Sequence, residues 1–249
     1  MSGAAPGAAR PRAAPGGARA LRTVGPVDLH IGRRGQGPPV VLTHGFATSS
    51  EVWARQVEAL AGSHSVATWD LRGHGRSAPP QGPYTREAAL ADLAAVVVQA
   101  GAPALLAGHS VGGYLSLAHA LAHPETVAGL AILSAGPGFR NPTRRDAYNR
   151  SVERVAERSG FPLEVAEVAI QHDSLVIDGL AAITCPVLIV VGGADLPVYV
   201  AGSRHLADNL PDARLLEVPG AGHDVHLDRP GEVSDALTAL SRRIWCPGR

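Results

Sequence analysis

The chain contains no lysine: all 22 of its basic residues are arginine. Without an ε-amine there is no Schiff-base nucleophile, and without a Gly-Lys step there is no Walker-type phosphate loop. Cysteine is scarce. Cys185 and Cys246 are too few for a disulfide framework and are expected to be reduced and structural, in keeping with a cytoplasmic protein. No apolar run reaches the roughly 18–20 residues of a membrane span, so no membrane partner is expected. Neither charge sign is in excess, with 22 acidic residues against 22 basic ones. That balance gives no footprint for nucleic acid and no acidic metal cage. No G-x-G-x-x-G follows a strand, so no dinucleotide cofactor is expected. His119 and His123 stand four apart, but no Glu follows His119 and Pro124 ends the helix. The zinc-protease spacing is therefore missing, and no metal is expected.

What is present begins with a compositional break. Residues 1–20 are mostly Ala, Gly, Pro and Arg without an acidic group. Pro6, Pro11 and Pro15 would break any amphipathic helix, and no signal-peptide apolar stretch occurs, so a disordered extension is expected. From residue 21 to 249 short apolar runs alternate with helical stretches, which reads as one domain. Strands are expected at Pro39–Thr43, Ser65–Trp69, Ala104–Ala107, Val127–Leu133, Pro186–Val191 and Ala213–Val218. Helices are expected at 50–61, 86–100, 111–122, 203–209 and 231–244. Short continuous apolar strands alternating with helices are how a parallel sheet buried on both faces is written. Residues 21–35 are expected to add an antiparallel edge hairpin. Residues 135–180 break the alternation with a charged helix at 143–158 and a short apolar one at 163–171. An insertion of that length between core elements is expected to be a lid.

The sharpest motif is Gly108-His109-Ser110-Val111-Gly112-Gly113, directly after a strand and directly before a helix. That context is the one a nucleophile elbow needs, with glycines where side chains would collide and Ser110 exposed at the tip. A serine hydroxyl needs a base, and the base needs an orienting acid. Two later strands supply them: Pro186–Val191 runs into Asp195, and Ala213–Val218 runs into His223. The order Ser110, Asp195, His223 fits, with Asp195 fixing the imidazole and His223 taking the serine proton. His226, Asp224, Asp173 and Asp178 are the competitors, each worse placed relative to a strand end. An oxyanion needs backbone donors. Val111 N–H, at a helix N-terminus, and Phe46 N–H, in the His44-Gly45-Phe46 loop, are the candidates. His44 is read as positioning that loop, and Asp70 to Ser77 as a structural turn.

These blocks together resemble the α/β-hydrolase superfamily from about residue 22 onward. They are His44-Gly45-Phe46 with Ser49 and Trp53, Asp70 to Ser77, Gly108 to Gly113, Cys185-Pro186 through Asp195, and Gly220-Ala221-Gly222-His223. The resemblance implies an α/β fold, an eight-stranded and mostly parallel sheet flanked by helices, and a short helical lid at 135–180 between the sixth and seventh strands. It implies a serine hydrolase cleaving a small or medium ester or lactone through an acyl-serine. Carbon–carbon hydrolysis of a ring-cleavage product with the same triad, and a non-enzymatic ligand receptor, are the alternatives. The partner is then a small-molecule substrate. The lid arginines (Arg140, Arg144, Arg145, Arg150) could bind a carboxylate, but a solvated face partnered by Glu153 and Glu157 is the preferred reading.

Overall fold

The computed structural model describes residues 28–77 and 82–247. The expected extension at 1–20 lies outside the described residues, as do 21–27 of the expected hairpin. The elements run β1 (Ile31–Arg34), β2 (Pro39–Thr43), α1 (Ala54–Leu60), β3 (Ser65–Trp69), α2 (Arg86–Ala100), β4 (Ala104–His109), α3 (Val111–Ala122) and β5 (Val127–Leu133). An insertion follows with α4 (Pro142–Ser159), α5 (Leu163–Ala166) and α6 (Leu175–Gly179). The chain then closes with β6 (Val187–Gly192), α7 (Pro197–Asn209), β7 (Ala213–Val218), α8 (Val225–Asp228) and α9 (Pro230–Trp245).

The described strands form one seven-stranded sheet in the order β1-β3-β2-β4-β5-β6-β7. All pairs are parallel except β1 with β3, where Ile31 faces Trp69 and Arg34 faces Val66. One expectation changes here. Seven strands are described where eight were expected, and the insertion leaves the sheet between the fifth and sixth of them. β1, within the expected hairpin, is antiparallel to β3 and lies at the edge of the described strands; the other strand expected for that hairpin falls outside the described residues.

Strand alternation explains the two cores. Val41, Leu106, Ile132 and Ile189 point to one face, where α2, α3 and the insertion cover them. Val40, Leu42, Leu105, Leu133 and Val190 point to the other, under α1, α8 and α9. α3 is buried from Val111 through Ala120, because it is packed between the sheet and the insertion. Such a helix shows no polar stripe. Helix ends carry their own chemistry. Thr85 caps α2 through Ala88 N–H, Asn141 caps α4 through Arg144 N–H, and Gly160 ends α4 in the left-handed region at φ 70°. The carboxyl ends of the parallel strands all open on one edge of the sheet, where this class of fold places its sites.

Candidate active site

The elbow between β4 and α3 holds Ser110 at φ 52° and ψ −117°, outside the comfortable regions for a side-chain-bearing residue. The sheet enforces that geometry: Ser110 N–H donates to Leu133 O at 2.9 Å, while Gly113 and Tyr114 N–H donate back to Ser110 O. The flanking glycines are there for contact. A Cβ on Gly108 would lie 2.2 Å from Gly112 O, and one on Gly112 would lie 2.4 Å from Thr43 O. Any larger residue at either position would push α3 off the strand ends.

Asp195 and His223 meet from the loops after β6 and β7. His223 Nδ1 lies 3.1 Å from both Asp195 carboxylate oxygens. The Asp195 side chain is fully buried, and its Oδ1 also accepts Leu196 N–H at 2.6 Å. The His223 loop is fixed on two sides. Its carbonyl oxygen lies 3.0 Å from His109 Nε2, and Gly222 N–H donates to Asp228 Oδ2 at 2.7 Å. The pair thus stands beside the elbow, tied to it through His109. Among the described residues no hydrogen bond joins Ser110 to His223. Tyr199 lines the same cavity as Ser110, and its ring lies against the His223 ring with centroids 4.2 Å apart. Burial raises the Tyr199 phenol, and hydrogen bonds to Ser110 and Tyr148 oppose the shift only in part.

The two candidate backbone donors flank the elbow. Val111 N–H is the first of α3 and has no intrahelical acceptor. Gly45 packs on the elbow, since a Cβ there would lie 3.3 Å from Ser110 Cβ. The Gly45 carbonyl accepts from Thr48 Oγ1 at 2.8 Å and from His44 Nδ1 at 2.7 Å. A trans peptide points its N–H opposite to its carbonyl, so Phe46 N–H faces away from that anchor. His44 has its tautomer set by Leu71 N–H, which donates to Nε2 at 2.9 Å. Burial, reinforced by neighbouring His74, lowers His44 to about 4, so it stays neutral. The structural reading of His44 therefore has a mechanism.

Asp70 braces the same loops. Its carboxylate accepts Ser50 N–H at 2.6 Å and Arg76 N–H at 2.9 Å, and its carbonyl accepts Ser77 Oγ. Burial alone would raise it, but hydrogen bonds from Ser50 and Arg76 more than offset that. His226, the competitor for the base, is fully buried with both ring nitrogens unpartnered, between Trp53 and His109 rings at 4.6 Å. Asp173 is engaged elsewhere, accepting both Nη atoms of Arg86. The insertion arginines depart from expectation. Arg140 pairs with Asp178 at 2.6 Å, and among the described residues none of the four pairs with Glu153 or Glu157. Arg140 and Arg144 instead line a groove of about 840 Å³.

Ser110 opens into a cavity of about 40 Å³ walled by α3, the start of the insertion and α7. Tyr148, Tyr199 and Gln171 in that wall carry no motif in the sequence. Tyr199 could have been suspected only from its nearness to Asp195, had α7 been expected to begin at Pro197.

A parallel sheet with a strained serine at one strand end and a paired Asp and His at two others defines a serine-hydrolase scaffold. The chain matches the model of the Alpha/beta hydrolase family over residues 40–236 and belongs to that family. It is similar to a protein of Azorhizobium caulinodans named "Putative carbamate hydrolase RutD", at 31% identity over 88% of this chain and 97% of that one. It is also similar to the pimeloyl-[acyl-carrier protein] methyl ester esterase of Chromobacterium violaceum, at 30% identity over 85% and 97%. Among solved structures it resembles the enol-lactonase from Burkholderia xenovorans LB400, with a TM-score of 0.73, 25% identity and coverage of 86% and 96%. The chain is therefore an enzyme, a hydrolase of the ester- and lactone-cleaving kind, which sets aside the binding-only reading. No described helix is long and apolar enough to cross a membrane.

Proposed function

We propose that the enzyme cleaves small or medium esters or lactones through an acyl-Ser110 intermediate. The observation that carries this reading is the 3.1 Å pairing of His223 with the buried Asp195 beside a serine held at φ 52°. Ser110 Oγ attacks the carbonyl carbon while His223 Nε2 takes its proton, and Asp195 stabilises the imidazolium. Val111 and Phe46 N–H receive the oxyanion. The alcohol leaves with the proton from His223, and water then releases the acid by the same route. The Ser110 hydroxyl makes no hydrogen bond to His223 at rest and forms one only in the reacting complex, as apo sites often require. The insertion over Ser110 serves as the lid. The relatives named for a methyl ester and an enol-lactone share an acyl carbon bearing an oxygen leaving group, which supports the class.

Ser110→Ala should lower kcat on a short-chain p-nitrophenyl ester by about 10³-fold or more, with the melting temperature little changed. A fluorophosphonate should label the wild-type chain and not the variant. Turnover by Ser110→Ala near the wild-type level would exclude the mechanism.

A further inference from the structure

The polar side chains in the wall of the Ser110 cavity are those of Ser110, Tyr114, Tyr148, Tyr199 and Gln171. Among them only Gln171 has a fully buried polar atom without a hydrogen-bond partner. Tyr114 accepts from Arg86 Nη1 at 3.4 Å. Tyr148, Tyr199 and Ser110 line the same wall as neighbours. Gln171 is different: it is 6% exposed, its Oε1 is buried without a partner, and no group among the described residues pairs with its Nε2. Buried side-chain amides are rarely left in that state, because the lost hydration is not repaid.

The amide is held there by construction. Gln171 N–H donates to Asn149 Oδ1 at 3.0 Å, and Asn149 Nδ2 donates to Gln171 O at 2.9 Å, so α4 clamps the backbone in both directions. Across from it, Gly138 adopts φ 93°, and a Cβ there would lie 2.8 Å from Gln171 Oε1. The chain keeps that space clear, next to the nucleophile, for a side chain that bonds to nothing of its own.

We propose that Gln171 binds substrate, and that the acyl group carried by Ser110 contains an amide-type group, an N–H next to a C=O. A carboxamide has one accepting and one donating edge. Whichever edge faces the cavity, an amide-type group answers it with its own N–H or C=O, whereas a hydrocarbon chain answers neither. The acyl side follows from shape. The acyl group stays bonded to Ser110 through both half-reactions and suits the small cavity, while the alcohol departs and has the large adjoining groove as its route. The inference rests on the acyl-Ser110 reading above.

The test compares p-nitrophenyl esters of equal length at two spacings: N-acetylglycine against pentanoate, and N-acetyl-β-alanine against hexanoate. Each kcat/KM is divided by the buffer rate of the same ester. The wild-type enzyme should favour the amide member of at least one pair by about tenfold or more, and Gln171→Leu should erase most of that preference. Gln171→Met provides the same loss of the amide with a flexible side chain, should the leucine variant fold poorly. An unchanged preference in the folded variants, or a wild-type preference for the alkanoate in both pairs, overturns the inference. Failure of the acyl-Ser110 reading shows up separately, as no turnover of p-nitrophenyl acetate by the wild-type enzyme.

Discussion

His223 and His226 are the same residue three positions apart, and the fold gives them opposite surroundings. His223 has a carboxylate on Nδ1 and a half-exposed ring, whereas His226 is buried, stacked on Trp53, with nothing on either nitrogen. A ring that uses neither nitrogen can be replaced by a hydrocarbon one. His226→Phe should therefore keep kcat/KM within about threefold and leave the urea midpoint equal or higher, since the orphaned polar atoms are removed. Loss of activity comparable to Ser110→Ala would show that His226 is the base after all. At this scale the sequence was informative wherever a residue follows a strand directly. Ser110, Asp195 and His223 could be found because a strand aims each of them. Gln171 and Tyr199 could not, since an isolated Gln or Tyr has no spacing that distinguishes a cavity wall from a surface.

At the scale of elements, the insertion is strapped to the scaffold by one strong contact. Arg86, with a nearly buried side chain at the start of α2, makes two hydrogen bonds to Asp173, at 3.1 and 2.6 Å. Its hydrogen bond to Asp173 raises the Arg86 guanidinium further, against the effect of burial. Asp173 is 43% exposed, which discounts the pair to about 1–2 kcal/mol. Asp173→Ala should therefore loosen the insertion more than the domain. Hydrogen exchange should quicken at 163–180, KM should rise severalfold, and global unfolding should shift only slightly. Exchange unchanged in that segment would mean that the strap does not hold it. The same scale shows what patterning conveys and what it misses. β2, β3, β5 and β7, and helices α2 and α3, have the bounds expected from the residues, because each is closed by residues that stop it, such as Asp70 after β3, Pro219-Gly220 after β7 and Gly101 after α2. α7 starts at Pro197 and not near 203, because its first turns expose Leu196 and Val198 to the groove and show no amphipathic stripe. α6 was not expected at all: it is five residues long and is held by outside contacts, Arg140 to Asp178 among them.

Across the whole molecule, buried histidines set the response to acid. Burial lowers His119 and His226 to about 4, with help from His123 and His223 respectively, and His44 is lowered to the same range. Burial also lowers His74, and lowers His109 well below the ordinary imidazole range with help from His226 and His223. The unfolded chain takes up these protons near pH 6.5 and the folded chain does not. Their contribution is complete above about pH 6.5 and is lost as pH falls from there toward 4, by up to roughly 1.4 kcal/mol per pH unit for each. Asp70 and Asp173 are lowered carboxylates, so their share persists until lower pH. The urea midpoint should fall steeply between pH 6.5 and 4.5, and less steeply in His226→Phe. A flat midpoint over that window would contradict the assignment of neutral buried rings. The alternation of the chain made the parallel sheet legible in advance, but not its strand order. Nothing local tells β1 to pair with β3 across the sheet edge.

One consequence follows from where the strands end. Phe46, Asp70, Ser110, Asp195 and His223 follow five different strands, β2, β3, β4, β6 and β7, with β5 between them in sequence. No fragment shorter than nearly the whole domain can assemble this chemistry. During synthesis Ser110 emerges long before His223, so under the proposed mechanism the nascent chain carries an inert serine until the last strand has docked. Turnover is thus a report that folding is complete, and a truncated or misregistered chain would be silent instead of indiscriminately active.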